Sequence, residues 1–405
     1  MIKLAFTGDI LSYQNQNVLI LEKYGSYDYM TVFENVTHMF DGTDYVIGSL
    51  ETVVADKQKY TFSPISFNSP SQILQSLRRA GFNLLTTANN HCLDRGIVGL
   101  DDTIYNIKKN GLHSTGTRSS ESDSPFFVFN VGETKIAVLS YTYDTNPDAN
   151  GVQLNSRDLF RVNLTKEQMR IVQTDDIVKL FLHRIKKIVK GLIRKRTVEY
   201  YAGPVIDCVS DQEISNPKNA SFLQKLRNDI DIAKEQADYV FFCLHSGGQF
   251  NDKVGNYTNY LIDEIAKCKV NAIVCNHTHC ILPVSSLCNT LVAYSLGNFC
   301  FTPFEGYYVD GVYADYSSIL YVTIDEKKKT IIPSVSFVKN VVGDDGITRV
   351  FSLFDLIQNA DDMKKKKQLL KDLKAIINRA GIKLEEGEKL VQKEYSFNHI
   401  YCYAS

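Results

Sequence analysis

The stretch Ala272-Ile273-Val274-Cys275-Asn276-His277-Thr278-His279 decides how this chain is read. A short run rich in β-branched and apolar residues reads as a buried strand. Two histidines, two apart, stand where that strand ends. In α/β folds ligands and metals bind at the carboxyl ends of strands, and imidazole is the commonest metal ligand. The chain has only eight histidines, and two others repeat this context. His91 follows Leu84-Leu85-Thr86-Thr87-Ala88-Asn89-Asn90, and His245 follows Tyr239-Val240-Phe241-Phe242-Cys243-Leu244. Asp9 follows Ile2-Lys3-Leu4-Ala5-Phe6-Thr7-Gly8, and Glu51 follows Tyr45-Val46-Ile47-Gly48-Ser49-Leu50. Five strand-like runs thus each lead into a residue able to hold a metal.

Composition narrows the classes. At 405 residues the chain can bury a large core. A formal net charge of -1 supplies no field that would favour nucleic acid or an anionic membrane. No run reaches membrane-spanning length, and the first strand-like run leaves no space for a targeting segment. The expectation is therefore a chain without a transmembrane anchor. The nine cysteines are odd in number, several lie in apolar runs, and none form a C-x-x-C pair. They read as reduced packing residues of a cytoplasmic protein. That reading includes Cys275, Cys280 and Cys300 close to the histidines.

Periodicity divides the chain into parts. Up to about residue 155, strands alternate with helical segments at 71–80 and near 100–110, which reads as an α/β layered fold. Runs at 126–131 and 135–140, joined at Gly132-Glu133, read as a hairpin and make the sheet mixed. Residues 156–204 break the pattern as a basic, helical insertion. Between Ile177 and Arg196 there are eight Lys or Arg and no acidic residue. Ile177, Phe181, Ile185, Ile188 and Leu192 share one helical face, with Lys179, Lys186, Lys187, Lys190 and Arg194 opposite. The preferred reading is a helix packed on the main domain through its apolar face; peripheral membrane or polyanion contact through 177–196 is the alternative. From about 205 to 340 the α/β alternation returns, with a helix at 220–236, another near 257–266, and strands near 291–295, 318–324 and 331–338. A C-terminal helical extension, 341–405, reads as a surface element. The expected organisation is one domain over 1–340 with this extension.

The strand-end residues suit a metal centre. Asp9 and Glu51 offer anionic oxygens, Asn90 a neutral oxygen, and His245, His277 and His279 nitrogens. That mixture suits one or two Mn, Fe or Zn ions, and it differs from the cysteine-rich sets of structural zinc. His91, beside Asn90, is placed to protonate a leaving oxygen. Asp94 is placed to orient the His91 imidazole. Each residue alone has a plainer structural reading, as a turn, a cap or a glycine loop; it is their joint recurrence at strand ends that points to a site.

The ordered series Gly8-Asp9, Ser49-Leu50-Glu51, Ala88-Asn89-Asn90-His91 with Asp94 and Gly96, 141–146, His245-Ser246-Gly247-Gly248, His277-Thr278-His279 and Ser295-Leu296-Gly297-Asn298-Phe299 resembles the CapA family. These are poly-gamma-glutamate capsule synthesis proteins, a branch of the calcineurin-like metallophosphoesterases. The resemblance covers roughly residues 2–302 apart from the basic insertion. It implies a four-layer α/β/β/α sandwich with metals at the strand carboxyl ends, and metal-dependent hydrolysis of phosphate esters. Non-catalytic service in a surface-polymer synthesis complex is the alternative, and a glutamyl-polymer substrate is a further option. Three positions depart from the family pattern. Leu11 stands where most metallophosphoesterases have a histidine, which this branch commonly lacks too. Gln249 stands where the branch usually has glutamate. Asn276 and Thr278 replace the usual glycine and proline around the histidine pair.

Overall fold

Alternation along the first strand explains the layering. Leu4 and Phe6 turn to one side and Ala5 to the other, and all three are buried. A strand covered on both faces reads as a continuous apolar run rather than an alternating one. The structure is a computed structural model that describes residues 1–12, 14–58, 66–170, 206–301, 311–397, 400 and 402–403. The basic segment 177–196 lies outside the described residues.

In chain order the strands are β1 (Ile2–Ile10), β2 (Tyr45–Leu50), β3 (Leu84–Thr86), β4 (His113–Thr115), β5 (Phe126–Val131), β6 (Thr134–Thr142), β7 (Tyr239–His245) and β8 (Ala272–Asn276). They continue with β9 (Val284–Leu287), β10 (Thr290–Ala293), β11 (Asn298–Cys300), β12 (Tyr316–Asp325), β13 (Thr330–Val342) and β14 (Thr348–Ser352). One sheet has the order β14-β13-β12-β1-β2-β3-β4, with β11 added beside β1. The other has the order β5-β6-β7-β8-β10-β9. β1 through β4 run parallel, as do β6, β7 and β8, while β12 to β14 are antiparallel. Both sheets are therefore mixed. The expected hairpin is present: β5 pairs with β6, and Gly132 takes the left-handed backbone its turn needs.

The two sheets meet face to face. Leu4, Phe6, Ile47 and Leu84 pack against Ile136, Val138, Phe241 and Val274, and the Phe6 and Phe241 rings lie 5.5 Å apart. Each such side chain contributes about 1.5–3 kcal/mol when fully buried. The outer face of the first sheet, through Ala5, Val46 and Leu85, packs on Ile20, Phe33, Leu77 and Ile107 of the helices before β4. The outer face of the second, through Ala137, Leu139 and Phe242, packs on helices Ala220–Gln236 and Asn256–Lys267. The result is the four-layer α/β/β/α sandwich.

Beyond residue 340, β14 extends the first sheet. Helix Met363–Arg379 sends Leu369, Leu373, Ile376 and Ile377 into the intersheet core. Only its lysine-rich face is the solvated surface that the sequence suggests. Tyr316 Oη donates to Asp372 Oδ2 at 2.7 Å and fixes the helix to β12.

Parallel pairing brings the carboxyl ends of β1, β2 and β3 to one edge of the first sheet, and those of β7 and β8 to one edge of the second. The edges coincide: the His277 backbone N–H, just past β8, donates to Asp9 Oδ2 in β1 at 3.0 Å. Gly8 permits the third approach. A Cβ at that position would sit 2.0 Å from the Gly297 carbonyl oxygen, and Asp9 N–H donates to that same oxygen at 2.9 Å. β11 can lie beside the end of β1 only because residue 8 has no side chain.

Candidate metal centre

Each functional side chain reaches the shared edge by an identifiable local device. Asp9 lies inside β1, where Ser49 Oγ donates to its Oδ1 at 2.8 Å. Glu51 follows β2 directly. Asn90 and His91 lie on a turn held by Asn89, whose amide donates to the Leu50 and Thr87 carbonyls and whose Oδ1 accepts from His91 N–H. His245 is the last residue of β7. His277 and His279 both have left-handed backbone, φ 100° and 57°. That conformation costs about 1–3 kcal/mol at a non-glycine residue and collects at functional sites.

The side chains converge. His245 Nε2 lies 2.9 Å from Asn90 Oδ1, 3.2 Å from His277 Nδ1 and 3.4 Å from Glu51 Oε1. On the other side of the carboxylate, His279 Nδ1 lies 4.0 Å from Glu51 Oε2 and 3.9 Å from Asp9 Oδ2. Glu51 thus has one oxygen toward each of two donor sets. Ligands at about 2.0–2.2 Å from a common ion are themselves about 3 Å apart; the spacings around His245 are close to that, and those around His279 are longer. Glu51, His277 and His279 form a buried group that could hold a metal ion.

The electrostatics point the same way. Glu51 is fully buried, and both its oxygens lack a hydrogen-bond donor. His245 Nδ1 is also buried without a hydrogen-bond partner and lies 3.8 Å from Asp9 Oδ1. Burial, then the Glu51 charge, pushes Asp9 up to about 7. Burial likewise raises Glu51. Burial pushes His245 down to about 4 and lowers His277 and His279, so the three imidazoles are neutral. Two buried carboxylates among neutral imidazoles are costly without a cation, and the donor chemistry fits a divalent ion.

His91 and Asp94 lie beside this cluster. His91 Nδ1 is 2.8 Å from Asp94 Oδ2, which also accepts from Phe67 N–H. Burial lowers the His91 pKa, but the charge and hydrogen bond of Asp94, with Glu51 and Asp9, outweigh it and leave the pKa raised. The Phe67 ring packs 4.2 Å from His91, and the Phe301 ring lies 6.1 Å from His279. Leu11 joins these two rings in a small apolar cluster. Gln249 is half-buried, and the next residue, Phe250, packs its ring 5.3 Å from His279.

Three further residues belong to the surroundings. His277 Nε2 lies 3.4 Å from Cys208 Sγ. Burial pushes that thiol up to about 11, so it remains a neutral partner that orients the ring. Tyr143 packs 4.9 Å from His277. Asn298 Oδ1 lies 2.9 Å from His279 Nδ1. Cys208 sits just past the basic insertion and carries no local signal. Asn298 is a polar residue ahead of the apolar Phe299-Cys300-Phe301, the reverse of the Asp9 pattern, and its signal in the sequence is its place in the Ser295–Phe299 motif. Cys275, Cys280 and Cys300 pack in three separate apolar clusters.

The family described as bacterial capsule synthesis protein PGA_cap matches residues 3–303. The chain is 24% identical over 301 residues to the PGA biosynthesis protein CapA of Bacillus subtilis (strain 168), covering 73% of this chain and 62% of that one. It is 24% identical over 305 residues to the capsule biosynthesis protein CapA of Bacillus anthracis, covering 74% and 59%. An uncharacterized protein of Sinorhizobium fredii (strain NBRC 101917 / NGR234) is 21% identical over 284 residues, covering 66% and 61%. The matched chain spans less than two thirds of the length of each of these relatives. Among the described residues no helix is long and apolar enough to cross a membrane.

Proposed function

The chain belongs to the bacterial capsule synthesis protein family, and from that premise we propose that it is a divalent-metal-dependent hydrolase of phosphate esters serving surface-polymer synthesis. The observation that carries this reading is Glu51: a fully buried carboxylate with no hydrogen-bond donor, set between two groups of metal-ligating atoms. Asp9, Glu51, Asn90, His245, His277 and His279 would hold the ion or ions. An ion held there would supply Lewis-acid polarisation of a phosphoryl oxygen and of the attacking water.

The chain's own residues do the rest. Asp94 accepts from His91 Nδ1–H and holds the ring in one orientation. The second His91 proton, at Nε2, then passes to the leaving oxygen. Asp94 lies outside the carboxylate pair, so its support for the protonated ring persists when a cation neutralises Glu51 and Asp9. Phe67 and Phe301 flank the imidazoles and exclude water. The nine cysteines are free, which suits a reducing, cytoplasmic setting.

Leu11 and Gln249 favour a second reading, a non-catalytic or weakly catalytic component of a polymer-synthesis complex. Leu11 is an apolar packing residue where a ligand commonly stands, and Gln249 offers no charge. A panel of phosphate mono- and diesters, assayed with Mn, Fe and Zn, separates the two. The hydrolase reading expects chelator-sensitive turnover of at least one ester; inactivity with every ester and metal would favour the second.

Metal binding should also depend on pH. Asp9 is a carboxyl whose pKa is raised to about 7, so near pH 6 it retains a proton that an incoming ion must displace. Burial lowers all three histidines, so they release fewer protons than free imidazoles would. Because burial raises Glu51 as well, the apparent affinity for Mn should rise by at least about tenfold per pH unit up to about 7. Calorimetry in buffers of different ionisation heat would register the released proton. An affinity constant from pH 5.5 to 7 would contradict this assignment.

A further inference from the structure

The donor set around Glu51 is lopsided. His245, with Asn90 and His277 against its Nε2, lies 3.4 Å from Oε1, whereas His279, with Asp9 beside it, lies 4.0 Å from Oε2. Leu11, two residues after Asp9, cannot add a ligand, because it packs with Phe67 and Phe301. We infer that Asn298 supplies the missing ligand through Oδ1, so that the second ion position is built by β11 rather than by residue 11. This rests on the reading of the cluster as a metal centre.

Four observations carry it. Asn298 is fully buried. Its Nδ2 donates to the His279 carbonyl at 3.1 Å and to the Ala314 carbonyl at 2.9 Å. Both amide hydrogens are thereby used, which fixes the orientation of the amide and turns Oδ1, its acceptor end, to the His279 imidazole. Oδ1 lies 2.9 Å from His279 Nδ1, the ring nitrogen that faces Asp9 and Glu51. Finally, Asn298 is the direct cross-strand partner of Asp9 in the β1–β11 pair. Cross-strand partners point their side chains to the same face of a sheet, so the amide oxygen and the Asp9 carboxylate are presented side by side.

The placement is rigid. The Asn298 carbonyl accepts from Asn340 Nδ2 at 2.9 Å, and Gly297 contacts β1 where Gly8 has no side chain. A hard, neutral amide oxygen suits the same ions as the oxygen of Asn90. Each oxygen of Glu51 then faces one amide oxygen and at least one imidazole, and the Oε2 side gains the charge of Asp9.

The test is the affinity of the purified full chain for Mn alone, measured by competition with a fluorescent chelator, together with metal stoichiometry. Asn298→Ala should weaken the second ion's binding by about 10–100-fold or more and lower the stoichiometry, leaving the ion beside His245. Asn298→Asp should bind Mn at least as tightly as the wild type, because it replaces a neutral ligand oxygen with an anionic one. In a His279→Ala background, Asn298→Ala should weaken binding further, since a ligand acts without its neighbour. Unchanged affinity and stoichiometry in Asn298→Ala would overturn the inference while leaving the centre itself standing. So would no added effect in the His279→Ala background. If the alanine variant does not fold, Asn298→Asp decides alone: weaker binding than wild type overturns the inference. A wild type that takes up no Mn would instead overturn the metal-centre reading.

Discussion

Replacing His91 with alanine is expected to slow phosphate-ester turnover by about 10²–10⁴-fold, the usual contribution of a positioned general acid, with metal content unchanged. The separation of the two effects follows from geometry. His91 Nδ1 is engaged by Asp94 rather than by the Glu51 cluster, so its loss removes a proton donor and no ligand. The defect should be smallest for esters whose leaving group is a good one, such as a nitrophenol, because such a group needs little protonation. Asp94→Asn keeps the ring's neighbour but withdraws the charge that holds the ring protonated, and it should move the alkaline limb of the pH–rate profile to lower pH. A His91→Ala enzyme that turns over all esters at the wild-type rate would remove His91 from the chemistry. A loss of metal in the same variant would place it among the ligands.

Glu51→Gln should have the opposite signature, abolishing metal uptake and turnover together while making the metal-free protein more stable. The buried Glu51 oxygens have no donor, and an unsatisfied buried group costs about 1–3 kcal/mol, more when charged. In the absence of metal, the isosteric neutral amide removes that charge from the interior. In the presence of metal it removes the anionic oxygens that face both donor sets. Melting temperature in chelator should therefore rise in the variant, and addition of Mn should raise it in the wild type alone. A variant that is less stable than wild type in chelator would mean that Glu51 supports the fold rather than a cation. Stability sacrificed at one residue for function is a recurring pattern in enzymes.

Much of this site was legible because its residues share one local signature, a polar group at the end of an apolar run. Asp9, Glu51, His245 and the 277/279 pair each announce themselves in this way, and parallel pairing carries them to one edge. Asn90 and His91 lie further past β3, yet Asn89 folds the intervening turn back onto Leu50 and Thr87. The four-layer architecture followed from motif order, which carried the resemblance. What remained hidden was set by register between distant strands. Asn298 stands beside Asp9 because β11 inserts against the end of β1 where Gly8 allows it, and no local pattern encodes that pairing. Cys208 meets His277 across 69 positions of sequence. The core contribution of Met363–Arg379 was obscured by the lysines of its first turns, although its apolar residues keep helical spacing.

Anomalous diffraction from crystals grown with Mn will show whether this edge of the two sheets is a divalent-metal centre organised by Glu51. Anomalous density is expected between Glu51 Oε1, Asn90, His245 and His277, with a second peak between Glu51 Oε2, Asp9, His279 and Asn298 when Mn is in excess. Crystals of a folded protein in saturating Mn that show no anomalous density at Glu51, with the imidazoles and carboxylates bonded only to one another, would contradict it.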